Sequence, residues 1–349
     1  MKYERVYQVN RMDEEGKTSP LLSVVIIGLN EAERIGPCID SVRTAVADIP
    51  DTVIVYVDSG SSDGTVSIAL SKDVRVFRLG KAQPPSPAAG RYVGSMVTSG
   101  RFIMFVDGDT IVAPGWIKPA IELMMRDTSI VMFSGTPCSG RRDEKEVPPK
   151  VKHLGVKSPV YQVATDRAPI VSRQALDSAG NWNPFLSCFE EADLAIRFRH
   201  YIPGSQLVQC NQCTVSTPHY PIYHPGEYIR RLKRGFIKGP GQILRNAIAH
   251  GYLSKTWWIA KPVVLVTALL AGLTVSIAMK FWWQFLLLFF GTAFLRAVIT
   301  RKLVRIVTVF NSLLLGVCSL WELLTVPVRT ASDYKHDFIE VHEDAECHE

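Results

Sequence analysis

From Thr256 onward the chain carries apolar runs longer than most soluble cores need, and they divide the molecule in two. Lys261 to Met279 is nearly all apolar, and at about 1.5 Å per residue it covers a hydrocarbon layer of about 30 Å. Phe281 to Leu295 reaches across with the help of its flanks, Trp282 and Trp283 sitting at an interface. Ile306 to Val328 is a third stretch of spanning length, interrupted by Asn311 and Glu322, and an ionisable group at that depth needs a partner or a wet cavity. The connection after the second run holds Arg296, Arg301, Lys302 and Arg305, whereas the turn after the first holds only Lys280. That asymmetry predicts an integral membrane protein with residues 1–256 in the cytoplasm. With three crossings the acidic tail from Asp333 to Glu349 lies on the opposite face; with a re-entrant or interfacial third run it stays on the same face.

Apolar residues make up 47% of the 349 and charged residues 21%, which excludes disordered and collagen-like chains. The formal charge of +6 is gathered beside the apolar runs, at Arg230 to Lys238 and Arg296 to Arg305. Such clusters suit anionic lipid better than nucleic acid, which calls for basic residues spread over a soluble face. Seven scattered cysteines describe no disulfide framework, and a reducing cytosol is the simplest reading. Met1 to Pro20 is polar and holds no apolar stretch resembling a signal peptide. The expected organisation is a polar segment at 1–20, an α/β domain at 21–225, a basic amphipathic region at 226–256, a membrane region of two or three helices at 257–328 and an acidic tail at 329–349.

Within the soluble part, short β-branched runs alternate with helical stretches. Strands are expected at Ser23 to Ile27, Thr52 to Val57, Val74 to Leu79 and Phe102 to Val106. Between and after them, helices are expected at Glu31 to Val46, Asp63 to Ser71, Ala88 to Ser99 and Pro114 to Arg126. Strands that read apolar throughout predict a mainly parallel sheet covered on both faces, with ligands beyond the carboxyl ends of its strands. Those ends read Gly28-Leu29-Asn30-Glu31, Asp58-Ser59-Gly60-Ser61-Ser62-Asp63-Gly64-Thr65 and Asp107-Gly108-Asp109. The glycine patterns of dinucleotide and P-loop sites are absent, so phosphate must be neutralised by other means. Two aspartates one residue apart at a strand end can hold a hard divalent cation that bridges the phosphates of a nucleotide. The alternative is a turn and helix cap ahead of Pro114.

These segments, taken in order, resemble the glycosyltransferase family 2 domain of GT-A fold over the first 250 or so residues. Ser23 to Glu31 resembles the family's opening strand, whose Asn-Glu, here Asn30 and Glu31, touches the nucleoside. Val57 to Thr65 resembles its V-D-D/S-G-S-x-D-G-T segment, which implies that Asp58 helps hold the base or ribose. Ala89 to Gly94 resembles A-R-N-x-G with Tyr92 in place of Asn, which carries over Arg91 as a donor contact. Phe105 to Asp109 resembles the D-x-D segment, implying Asp107 at the ribose or sugar and Asp109 at a Mn²⁺ or Mg²⁺ ion. Phe189 to Arg197 resembles the E-D-x-D-L-x-x-R helix start, whose second acid, here Glu191, is the general base. The alternative, which suits Glu190 and Asp193 better than Glu191, is that these acids support a helix N-terminus and pair with Arg197 or Arg199. His219 resembles a late histidine that joins the metal or diphosphate.

Cys210 and Cys213, with His219 and His224, have one half of a zinc-site spacing. Between Gly226 and Ala249, apolar residues interleave with Arg230, Arg231, Lys233, Arg234 and Lys238, as in a helix lying on anionic lipid. Arg231 and Arg234 are candidates for a diphosphate or acceptor phosphate. The Q-x-x-R-W segment of processive synthases has no full counterpart in Glu227 to Arg231. The resemblance implies a metal-dependent inverting transferase that moves a sugar from a nucleotide sugar, UDP favoured, to a hydroxyl acceptor at the membrane. The acceptor would be membrane-associated or lipid-linked, with no nucleic acid partner. A polyprenyl-phosphate sugar synthase and an inactive membrane scaffold are the other readings.

Overall fold

The β-branched runs form the sheet. A computed structural model of the chain describes residues 19–81, 85–138, 150, 151, 156, 157, 167–217, 239–281, 283, 284, 291, 304–335 and 337–342. In its first half, β1 (Leu22–Gly28), α1 (Ile35–Val46), β2 (Thr52–Asp58), α2 (Thr65–Ser71), β3 (Arg75–Leu79), α3 (Pro87–Met96) and β4 (Phe102–Asp107) alternate. Then come β5 (Ile111–Val112), α4 (Ile117–Arg126), β6 (Ile130–Gly135), β7 (Val156–Lys157), β8 (Arg167–Ser172) and α5 (Arg173–Ser178). α6 (Glu190–Tyr201), β9 (Gln206–Cys210), β10 (Val215–Ser216) and, much later, β11 (Phe338–Val341) complete this part.

The main sheet has nine strands in the order β11-β3-β2-β1-β4-β8-β6-β9-β7. β3, β2, β1 and β4 run parallel, whereas β8 is antiparallel to both of its neighbours. Alternate residues of β1 feed opposite cores, as a period of two requires. Val24 and Ile26 pack with α1 and α4, while Val25 and Ile27 pack with α3 and α6. The α/β class and the two covered faces are as the sequence predicts. α1 begins later than expected because Asn30 turns the chain at φ +58° and Glu31 to Arg34 close a tight turn, with Arg34 N donating to Glu31 O at 2.8 Å.

Cysteine corrects one expectation. Cys138, after β6, is bonded to Cys213, after β9, with Cα atoms 4.8 Å apart. Cys213 is therefore not paired with Cys210 for zinc, and Cys210 is buried in the core.

The chain divides into two compact units: Met1–Phe185 with Glu190–His219 and Thr330–Glu349, and Leu186–Phe189 with Tyr220–Arg329. Among the described residues of the second are α7 (Gly239–His250), α8 (Trp257–Ala278) and α9 (Val304–Thr325). α8 alone among the described helices is long and apolar enough throughout to cross a membrane, and Trp257, Leu270, Val275 and Ile277 are exposed on it. Most of the second expected run, the basic helix around Arg231 and Arg234, and His219 lie outside the described residues.

Candidate active site

Strand register brings the three acidic loops to one level. Gly28 of β1 stands beside Asp58 of β2, and Ile27 stands beside Asp107 of β4. The loops are then stitched together. Asn30 N donates to Ser61 Oγ at 2.9 Å, Ser62 N to Asn30 Oδ1 at 2.9 Å, and Glu31 N to Thr65 Oγ1 at 2.8 Å. Burial, ahead of the charges of Asp107 and Asp63, lifts the Glu31 carboxyl above its ordinary range against the pull of Arg34.

Asp58, expected to help hold the base or ribose, is held by its own loop. It is fully buried. Its Oδ1 accepts from Tyr56 Oη at 3.2 Å, and its Oδ2 accepts from Gly60 N at 2.9 Å and Ser61 N at 2.8 Å. Arg78, its register partner on β3, closes the set with Nε 3.4 Å from Oδ2. Asp58 thus builds the loop that Asn30 and Glu31 lean on. Tyr56 had a readable signal, since residues two apart on a strand share a face; Arg78 becomes a neighbour only through strand pairing.

At the end of β4, Gly108 lets Asp107 and Asp109 flank a close backbone approach. Its N–H donates to Ile27 O at 2.7 Å, and a Cβ there would stand 3.2 Å from the same oxygen. Asp107 and Asp109 are half-buried, consistent with reach to a ligand beyond the strand.

α3 supplies the residue that organises the acids. Ser86 caps it by accepting from Ala89 N at 3.0 Å, with Pro87 in the first turn. Its Gly94 sits so tightly on β1 that a Cβ would come 2.1 Å from Val25. Arg91, one turn earlier, is 4% exposed. Its Nη1 donates to Glu190 Oε1 at 2.5 Å, and its Nη2 lies 3.0 Å from Asp107 Oδ1 and 2.9 Å from Glu191 Oε1. Its guanidinium also lies over the buried Trp182 ring, 5.5 Å from the centroid. Arg91, carried over from the resemblance as a donor contact, here clamps three carboxylates.

α6 brings Glu190, Glu191 and Asp193 in its first turn, where the helix dipole favours negative charge. The turn is entered through Phe189 at φ +62°, an expensive conformation for a bulky residue. Asp193 pairs with Arg197, Oδ2 lying 2.8 Å from Nε, so it supports the helix. Glu191 has a carboxyl pushed up to about 8, chiefly by burial and then by the charge of Glu190, with Arg91 pulling the other way. Such a carboxyl is largely protonated at neutral pH, and once ionised, as pH rises through about 8, it is a stronger base than an ordinary carboxylate.

Three acids share one guanidinium, with Asp109 and Glu31 beside them, so the cluster carries excess negative charge. Carboxylate oxygens are the ligand type that a divalent cation such as Mg²⁺ or Mn²⁺ takes. Among the described residues, however, no group of three or more His, Cys, Asp or Glu is arranged so that it could hold a metal ion.

The mainly parallel sheet, covered on both faces and carrying a row of acids at its strand ends, is of the GT-A type. The model of "Glycosyl transferase family 2" matches residues 23–177. Glycosyltransferase AglE of Haloferax volcanii is 30% identical over 236 residues, 65% of this chain and 74% of AglE. The chain belongs to glycosyltransferase family 2. A glucosyl-3-phosphoglycerate synthase of Mycolicibacterium smegmatis is 33% identical over 103 residues, spanning 28% of this chain and about a third (34%) of that protein. Among solved structures, the mannosyltransferase PcManGT from Pyrobaculum calidifontis, in complex with GDP-Man and Mn²⁺, shares the fold at a TM-score of 0.56. It is 18% identical, with 88% of each chain covered.

Proposed function

We propose that the protein is a membrane-bound inverting glycosyltransferase that moves a sugar from a nucleotide sugar to a hydroxyl acceptor at the cytoplasmic membrane face. The observation that carries the reading is the clamp of Arg91 on Asp107, Glu190 and Glu191. It ties the strand-end acid on the donor side to the carboxylate that would take the acceptor's proton. Asn30 and Glu31 would line the nucleoside, over a loop that Asp58 braces. Asp107 would stand near the ribose or sugar. Asp109, joined by His219, would hold Mn²⁺ or Mg²⁺, which when bound offsets the charge of the departing diphosphate. Glu191 would receive the acceptor proton as the acceptor oxygen attacks the anomeric carbon from the face opposite the leaving group. Arg91 would act as a positioning residue that fixes the direction of that carboxylate. Arg231 and Arg234 are proposed for a diphosphate or acceptor phosphate on residue type alone.

UDP is the favoured nucleotide, and GDP is kept beside it because PcManGT holds GDP-Man with Mn²⁺. The basic connections favour the cytoplasmic face. The Cys138–Cys213 bond favours the opposite reading, a catalytic unit on an oxidising face. The test of the donor site is calorimetric titration of the detergent-solubilised chain with UDP, GDP and TDP, with and without Mn²⁺ or Mg²⁺. Metal-dependent binding of one nucleotide, lost in Asp109→Asn, is expected; no binding of any of the three sinks the reading.

A further inference from the structure

The helical unit is an insertion in sequence. The chain leaves the sheet unit after His219 and rejoins it at Thr330. What returns is structural. β11 runs antiparallel to β3, from Phe338 opposite Leu79 to Val341 opposite Val76. Ahead of it, Gly80 N donates to Asp337 O at 2.8 Å. Arg75 grips Glu340 through two bonds, at 2.7 and 3.1 Å. Tyr334 is buried against Tyr92 and Phe185, with ring centroids 5.3 and 6.0 Å away, and Phe338 meets Phe77 at 6.4 Å.

A strand cannot hydrogen-bond to a sheet from the other side of a bilayer. β1 to β4 precede the apolar helices and β11 follows them, so both ends of the insertion lie on one face. We infer that the chain crosses the membrane twice, the crossing made by α8 being undone before Thr330. The inference rests on the membrane-bound reading and excludes the arrangement with three crossings. α9 is the candidate return among the described helices. Its 22 residues cover about 33 Å, and Ser312–Thr325 is its apolar part, shorter than the apolar length of α8. Its Gly316 lies so close to α8 that a Cβ would stand 2.3 Å from the Pro262 carbonyl oxygen, and small residues at such a contact let membrane helices pack closely.

The full chain, carrying one epitope before Met1 and another after Glu349, is to be expressed and recovered in sealed vesicles of known orientation. Protease is added from outside, and a second sample is washed with alkaline carbonate. The expected result is retention in the carbonate pellet with both epitopes digested in one vesicle orientation and both protected in the other. Opposite fates for the two epitopes overturn the double crossing while leaving the membrane reading intact. Release by carbonate overturns the membrane reading itself, and the double crossing with it. The orientation in which both epitopes are digested also reports whether the catalytic unit faces the cytoplasm.

Discussion

Arg91 and Glu191 set opposing demands on one small volume. The guanidinium is buried and needs carboxylates around it; the carboxylates repel one another and are short of water. The outcome is a Glu191 carboxyl lifted to about 8 from an ordinary value of 4.5, chiefly by burial. Only the ionised form can take a proton, so turnover is expected to climb as pH rises through about 8, read from a pH-rate profile with saturating donor. Stability runs the other way. A folded-state pKa above the unfolded value gives a contribution that is full below pH 4.5 and lost as pH rises through about 8. Glu191→Gln should therefore melt higher than the parent chain at pH 9, by a margin that widens between pH 5 and 8. The same variant should lose about 10²- to 10⁴-fold in turnover while keeping nucleotide affinity. Unchanged turnover would point to an acceptor that arrives already ionised, as a phosphate does. Arg91→Lys keeps the charge but not the planar fork, and it should lower kcat far more than it raises the Kd for nucleotide. Equal losses in both would return Arg91 to the donor.

Elements carry these side chains to their places, and α3 is the most tightly held of them. Gly94→Ala would drive a methyl into Val25, which is itself buried in β1. The expected cost is about 1–3 kcal/mol in unfolding free energy, with a drop in turnover because Arg91 shifts with its helix. Denaturant melts and activity measured on the same preparation check both parts. The sequence made much of this level legible. Val24-Val25-Ile26-Ile27 announced a strand buried on both sides, and the acids at 58, 107 and 109 announced strand ends. What stayed hidden depends on tertiary pairing. The Asp58–Arg78 contact follows from the register of β2 on β3, and the Arg91–Glu190 bond joins residues 99 apart. Neither leaves a local pattern. Asp58 itself was legible as an acid at a strand end but not as one whose oxygens are consumed by its own loop. The bond between Cys138 and Cys213 was hidden for the same reason, 75 residues separating two cysteines that neighbouring strands bring together.

At the scale of the whole molecule, the order of parts along the chain differs from their order in space. The tail reads as acidic and polar, and composition alone sets it apart as an appendage. Yet Phe338–Val341 is an edge strand of the catalytic sheet, and Tyr334 beside it packs on the helix that carries Arg91. A chain ended after Arg329 would lose that strand, expose the edge of β3 and uncover Tyr92. Burying one large side chain is worth about 1.5–3 kcal/mol, so the melting temperature of the catalytic unit should fall by on the order of 5 °C. An uncovered edge also invites association, so the shortened chain should aggregate at concentrations the parent tolerates. A chain ended after His342 keeps the whole strand and should match the parent in both respects. Thermal melts and light scattering on the three chains separate the cases. Equal behaviour of all three would mean that the sheet closes without its last strand, and the argument that both ends of the helical insertion share one membrane face would lose its anchor.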